Sequence, residues 1–300
     1  MERIKLANIL TEQRNSNSRH LEQKTVEEIL TIINNDDATL ATAIKKEIPK
    51  ISKAIELIVP KILNQNGRLI YLGAGSSGRM GVLDASEMLP TYGVKDKIIG
   101  LIAGGDQALR LPIEGAEDKK EFAIVDLKTI NLNQNDVVLV IGASGRTPYC
   151  IGALEYAKVI GALPLALCMT NNAEFEKYAD ITLNVISGPE IVTGSTRMKA
   201  GTATKMVLNM ISTTIMIKMG KVYDNLMIDV RASNEKLISR CVNIVSELVT
   251  TTDEQKIIDA LKKADYNCKL AIVMLEKNID VNQAKDLLLK NNDNLGETLK

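Results

Sequence analysis

The feature that most constrains this chain is a change of texture at Gly67. From there, short apolar runs rich in β-branched residues alternate with helical stretches. The runs are Arg68–Leu72, Ile98–Ile102, Val137–Ile141, Leu163–Cys168 and Ile181–Val185, and the helical stretches include Arg79–Leu89 and Pro148–Ile160. Near-continuous apolar strands, bounded by glycine and joined through helices, predict a parallel sheet covered on both faces. The expected fold class is therefore α/β: a three-layer, doubly wound, five-stranded parallel sheet. Five such strands suit the flavodoxin-like order 2-1-3-4-5.

Helices are expected on either side of this core. Thr25 followed by Glu28 forms a capping box ahead of Ile29, Ile32 and Ile33. A second helix is expected from about Asp37 to Leu63, with Leu40, Ile44, Ile48, Ile51, Ile55 and Ile58 as its buried stripe and a kink or break at Pro49. After Pro189 a cap region leads into a long apolar helix, roughly Arg197 to Met219, and beyond Asn234 the pattern is a small helical bundle. Asp253, Asn267 and Asp280 open successive helices there. The expected division is an N-terminal helical segment at 1–56, the sheet domain at 57–220 and a C-terminal helical region at 221–300.

Composition removes several functions. Lysine plus arginine and aspartate plus glutamate each number 37, so there is no overall field for nucleic acid or an anionic membrane. No apolar run has the length of a membrane helix, no signal peptide is evident, and the cytoplasm is the expected compartment. Cys150, Cys168, Cys241 and Cys268 form no C-x-x-C pair, which argues against a zinc ribbon or thioredoxin motif. The single histidine, His20, lies in a polar N-terminal stretch and is expected at a surface or interface. Histidine metal sites need clusters, so proton transfer near neutral pH must fall to carboxylates, lysine or tyrosine.

Two loops carry the chemistry. The first strand runs into Gly73-Ala74-Gly75-Ser76-Ser77-Gly78-Arg79. A glycine-rich turn from strand to helix aims free backbone N–H groups and the positive helix end at one point, which suits a phosphate. Gly73, Gly75 and Gly78 also match the dinucleotide fingerprint, a weak signal alone, and a tight packing turn is the plain alternative. The third strand ends in Gly142-Ala143-Ser144-Gly145-Arg146-Thr147-Pro148, again glycine and hydroxyl residues before a helix. In the order 2-1-3-4-5 both loops face one crevice at the topological switch point. Ser76, Ser77, Ser144 and Thr147 are then placed to hydrogen-bond one phosphate. That favours a monophosphate over a dinucleotide, for which Asp106 after the second strand would have been the ribose contact. Arg79 and Arg146 are candidates for a phosphate or for ordinary salt bridges.

These loops resemble a sugar isomerase (SIS) domain, a phosphosugar-binding fold. More narrowly, GRLIYLGAGSSGRMGVLDASEMLPTYGV at 67–94, IAGGDQALRLPIEGAEDKKEFA at 102–123 and GPEIVTGSTRMKAGTATKMVLNMIS at 188–212 resemble the N-acetylmuramic acid 6-phosphate etherase family. TEQRNSNS near the N-terminus and KVYDNLMIDVRASNEKL at 221–237 also fit, so the likeness spans almost the whole chain. The resemblance implies a cytoplasmic homodimeric carbon–oxygen lyase of amino sugar degradation that needs no cofactor or metal. It implies Glu87 as the acid/base at the lactyl oxygen and Glu117 as the second catalytic carboxylate.

Read from the residues alone, an isolated glutamate on a helix is usually a solvated face. Glu87 also lies about 13 Å past Gly78 along an unbroken helix. The helix must bend or end early, the sugar must lie along it, or Glu87 must serve a partner subunit's site. A general acid needs an apolar or acidic neighbourhood to keep its proton. Glu190, beside Pro189, is placed either against the sugar or in a cap or interface role, and Lys199 and Lys205 either near substrate or in ion pairs. Two other readings stand beside the enzyme: a non-catalytic SIS sensor of sugar phosphates, and a nicotinamide-dependent dehydrogenase. The sensor needs the phosphate loops but not the paired glutamates.

Overall fold

A computed structural model describes residues 9–230, 232 and 234–300. Its strands are β1 (Leu69–Gly73), β2 (Ile98–Ile102), β3 (Val137–Ile141), β4 (Leu163–Cys168) and β5 (Ile181–Asn184). They pair in parallel in the order β2-β1-β3-β4-β5, as the run pattern predicts. Gly73 stands opposite both Ile102 and Ile141. The three strands therefore end level, and their following loops leave from one edge.

Both faces of the sheet are covered. Ile70, Leu72, Val138 and Val140 pack with Leu127 of α5 (Lys120–Thr129) and with Tyr149, Ala153 and Leu154 of α6 (Pro148–Ile160). On the opposite face Leu69, Tyr71, Leu139 and Leu165 are equally buried. There α3 (Gly75–Ser86) presses so closely that a Cβ on Gly81 would come within 3.0 Å of Tyr71. Burying each leucine contributes about 1.5–3 kcal/mol, which is why these strands tolerate no polar alternation.

The capping box at α1 (Val26–Asp37) forms as expected: Glu28 N–H donates to Thr25, and Thr25 N–H donates to Glu28. Helix α2 (Leu40–Asn64) buries Leu40, Ile44, Ile51, Ile55 and Ile58. Ile48 is exposed where the stripe placed it inside, and of the kink or break expected at Pro49 the break is absent: α2 continues through Pro49 and Pro60. The buried stripe on both sides of Pro49 outweighs the one backbone hydrogen bond that proline forfeits.

The amino edge of the sheet is closed by a buried ion pair. Asp136, wholly buried, accepts from the Arg68 backbone N–H, Nε and Nη2, and from both nitrogens of Asn133. Arg68 spends its remaining donors on the carbonyls of Ile130 and Asn131.

The chain forms two compact units, residues 1–85 with 96–212 and residues 86–95 with 213–300. The first holds the sheet, α1, α2, α5, α6, nearly all of α3 and most of a helix introduced below. The second contains α4 (Met88–Tyr92) and helices α8 (Glu235–Leu248), α9 (Glu254–Lys263), α10 (Cys268–Lys277), α11 (Val281–Lys290) and α12 (Leu295–Leu299). Between the two sets in sequence runs α7 (Lys199–Lys218). Asn234, Asp253, Asn267 and Asp280 each cap the helix that follows by accepting a backbone N–H. The core of this unit is Cys241, Val245, Leu261, Ala271, Ile272 and their neighbours. Lys269, 1% exposed, is paired with Asp229 at 2.7 Å and Asp293 at 2.8 Å.

Candidate active site

The first loop is set by glycine. Gly75 opens α3 with φ +52°, a left-handed conformation that L side chains avoid, and nothing crowds its missing Cβ. The first hydrogen bond of the helix runs from Gly78 N–H to the Ala74 carbonyl. The N–H groups of Gly75, Ser76 and Ser77 therefore precede the helical ladder and have no partner within it. The helix starts four residues before Arg79, where hydropathy alone places it, because Gly and Ser give a poor helical pattern but a good phosphate turn. It ends at Ser86, and Glu87 forms the turn before α4.

The second loop is built differently. Gly145, φ +66°, packs so closely that a Cβ would fall 2.4 Å from Ala173, and its carbonyl accepts from Phe175. At the start of α6, Pro148 has no N–H, and Tyr149 N–H donates to the Glu117 carbonyl at 3.0 Å. The α6 terminus thus anchors Glu117 and contributes hydroxyls, while α3 contributes backbone donors. Arg79 serves the same connection. It donates to the carbonyls of Ala108 and Leu109 and straps the turn at Asp106–Leu109, earlier in the connection that carries Glu117.

These parts converge on one cleft of about 440 Å³. Gly75, Ser76, Ser77, Ser144, Arg146 and Thr147 line it, and Glu117 joins them. A smaller cavity of about 250 Å³, lined by Arg79, Ile113 and Glu114, shares Ala74, Gly75 and Glu117 with the cleft, so Glu117 stands where the two meet. Among the described residues, the four hydroxyls and Arg146 have no hydrogen-bond or ion-pair partner within the chain. Desolvation by the cleft walls, then the neighbouring Asp118 charge, push the Glu117 carboxyl above the ordinary glutamate range. Burial, with Glu117 nearby, also pushes the Cys150 thiol up, so it is no nucleophile near neutral pH.

Two of the expected site residues are not in this lining. Glu190 is wholly buried, and its two carboxylate oxygens accept the N–H groups of Lys199 and Ala200 at the start of α7, each at 2.9 Å. Desolvation raises its carboxyl, and those two N–H bonds oppose the rise. Glu87 is exposed at its turn, whereas burial was expected of a general acid. Lys199 pairs with buried Asp36 at 3.0 Å and Lys205 with buried Asp84 at 2.6 Å, so neither is free for substrate. His20 is exposed.

Sequence reading missed Thr11, Glu12, Asp118 and Thr196, all in the cleft lining. Spacing does not tie Thr11 or Glu12 to loops more than 60 residues away; the one signal is that they open TEQRNSNS, which fits the family pattern. The larger cavity of the second unit, about 690 Å³, includes Lys221, but Asp229 and Asp293 already neutralise that lysine. Among the described residues no group of three His, Cys, Asp or Glu is placed to hold a metal ion.

Known proteins resemble this chain at two levels. Residues 50–158 match the glucokinase regulatory protein N-terminal SIS domain, and residues 123–213 match the SIS domain. Over 290 residues the chain is 52% identical to an N-acetylmuramic acid 6-phosphate etherase of Mycoplasma mycoides subsp. mycoides, covering 96% of this chain and 95% of that one. Etherases of Clostridium beijerinckii and Lactobacillus gasseri are each 48% identical, over 301 and 297 residues. These two alignments cover 100% and 99% of this chain and 98% and 99% of those proteins.

Proposed function

The chain belongs to the N-acetylmuramic acid 6-phosphate etherase family, and from that membership we propose that it cleaves the D-lactyl ether of N-acetylmuramic acid 6-phosphate with water, giving N-acetylglucosamine 6-phosphate and D-lactate. The observation that carries this reading is the cleft: unpartnered phosphate donors at the ends of β1 and β3, with a carboxylate of raised pKa in the same wall.

An unactivated ether is a poor leaving group, so elimination is favoured over direct displacement. In the open-chain sugar the C1 aldehyde acidifies the C2 proton. A base takes that proton, and the C2–H electron pair forms the C2–C3 double bond. The C3–O bond breaks, and an acid protonates the departing oxygen, which leaves as the hydroxyl of lactate. Water then adds its hydroxyl to C3, and C2 regains a proton. The raised carboxyl of Glu117 suits proton exchange at C2, because a base works best with a pKa close to the working pH. The role of Glu87 at the lactyl oxygen rests on the DASE motif. The hydroxyls of Ser76, Ser77, Ser144 and Thr147, the N–H groups of α3 and the Arg146 guanidinium hold the phosphate. Glu190 acts through α7, by fixing the start of that helix.

Incubation with N-acetylmuramic acid 6-phosphate should release D-lactate; folded protein that releases none would sink the etherase reading. Glu117→Gln and Glu87→Gln should each retain substrate binding and lose about 10²–10⁴-fold in kcat. Near-wild-type turnover would remove that residue from the mechanism. A sugar-phosphate sensor would bind without lactate release. The similarity to the regulatory protein covers residues 50–158, whereas the etherase similarity runs the length of the chain.

A homodimer in the cytoplasm completes the proposal. The described cysteines are all free and buried, which suits a reducing compartment, and no described helix is long and apolar enough to cross a membrane. A second copy would supply the enclosure that Glu87 lacks in one chain. Light scattering at micromolar concentration should report a dimer, and a fully active monomer would exclude it.

A further inference from the structure

The wall of the cleft opposite in sequence to the phosphate loops comes from the N-terminal segment. Thr11 and Glu12, in the turn at Leu10–Glu12, line the same cleft as Ser76 and Ser144. Thr11 is wholly buried, and among the described residues its hydroxyl has no hydrogen-bond partner. Among the described residues, the half-buried carboxylate of Glu12 has none either. Gly194 makes room for it: a Cβ there would stand 3.1 Å from Glu12 Oε2.

This turn is held in place by groups that are themselves buried. Asn15, 6% exposed, donates from Nδ2 to Asp36 Oδ2 at 2.9 Å and to the Pro189 carbonyl at 3.2 Å. Ser18 donates to the Ile191 carbonyl at 2.7 Å. The same Asp36 oxygen meets Lys199 Nζ at 3.0 Å, and Lys199 N–H bonds Glu190. The segment therefore shares one buried polar bracket with the start of α7. Burying polar groups is costly unless they are all paired. Here every anchor is paired, while the two residues facing the cleft are not.

We propose that Thr11 and Glu12 read the uncharged face of the phosphosugar, with the Glu12 carboxylate accepting a hydrogen bond from a hydroxyl or from the acetamido N–H. This rests on the phosphosugar reading above. A carboxylate offers acceptors only, so it selects a donor. It also repels the lactyl carboxylate, which keeps the scissile side of the sugar away from this wall. The phosphate loops fix one end of the substrate, and this wall fixes its rotation about that end.

The test is calorimetric binding of N-acetylglucosamine 6-phosphate, glucose 6-phosphate and inorganic phosphate to the full chain and to Glu12→Ala, Glu12→Gln and Thr11→Val, with thermal melts as a fold check. Loss of a hydrogen bond to a charged group predicts roughly 10- to 100-fold weaker sugar-phosphate binding in Glu12→Ala. Glu12→Gln keeps an acceptor oxygen and should recover part of it, Thr11→Val should lose a few-fold, and inorganic phosphate should bind all variants alike. Equal loss on both sugars assigns the contact to a ring hydroxyl; loss confined to the acetamido sugar assigns it to the N–H. Unchanged sugar affinity in Glu12→Ala, an equal loss for inorganic phosphate, or a fall in kcat with binding intact would each overturn the proposal. Wild-type protein that binds inorganic phosphate but neither sugar phosphate would instead overturn the phosphosugar reading, and this proposal with it.

Discussion

The two edges of the sheet spend their polar groups in opposite ways. At the amino edge, Asp136 accepts from Arg68 and Asn133, and Arg68 donates to Asp136 and two carbonyls, so the two buried charges are matched within the chain. At the carboxyl edge, hydroxyls, backbone N–H groups of the first loop and Arg146 surround a cleft and make no bond among the described residues. Both edges are polar, and composition does not distinguish them. A polar cluster that satisfies itself holds the fold together; one that leaves donors unmatched around a cavity is built for something that enters.

The comparison breaks most visibly at the amino edge. Asp136→Ala leaves the Arg68 guanidinium half-buried without its anion and should cost about 3–5 kcal/mol of stability. Urea denaturation should show that loss, while KM at a temperature where the variant stays folded should hardly move. An altered KM with full stability would reverse the assignment of the two edges.

The carboxyl edge should respond the other way. Ser144→Ala with Thr147→Val removes hydroxyls that have no partner among the described residues, so the melting temperature should barely shift. Each hydrogen bond to an anionic phosphate is worth about 1.5–3 kcal/mol, so phosphate-dependent binding should fall by at least about tenfold. A fall in stability with unchanged binding would show these hydroxyls to be structural.

The smallest effect sharpens the contrast at a single residue. Desolvation and Asp118 raise the Glu117 carboxyl, so ionising it costs the folded state free energy. Below the ordinary glutamate range both folded and unfolded chains hold the proton, and Glu117→Gln should be neutral to stability. As pH rises through the raised folded-state value, the wild type loses stability that the Gln variant keeps. Melting curves between about pH 4 and pH 7 should show the two diverging with the variant higher, although its turnover falls. A variant that becomes less stable than wild type as pH rises would show that the ionised carboxylate is instead favoured by the fold.

Much of the architecture was legible because burial leaves a strong pattern. β2, β3, β4 and α6 fall where their apolar runs place them, and the parallel pairing followed from the type of connection, while the observed order is the one that five such strands suit. Ile48 and the start of α3 were misplaced because period and propensity average over a window, while exposure and a glycine turn are decided residue by residue. In the cleft, the loop residues were legible from glycine and hydroxyl spacing. Glu117 was not, except through the family motif, since a glutamate in an irregular connection has no local signature. Its backbone is held by Tyr149 N–H, distant in sequence.

The layered fold and the two glycine- and hydroxyl-bearing loops could be read from the chain alone, since apolar period and glycine spacing are local properties. The tertiary structure decided which polar residues are already consumed. Glu190, Lys199, Lys205 and Arg79 were candidates by position and proved to be paired with Lys199 and Ala200 N–H groups, Asp36, Asp84 and two carbonyls. Thr11 and Glu12, singled out by nothing but the TEQRNSNS likeness, stand in the cleft wall. A hydrogen bond is made between atoms that only folding brings together, so whether a donor is spent or free is a property of the assembled chain.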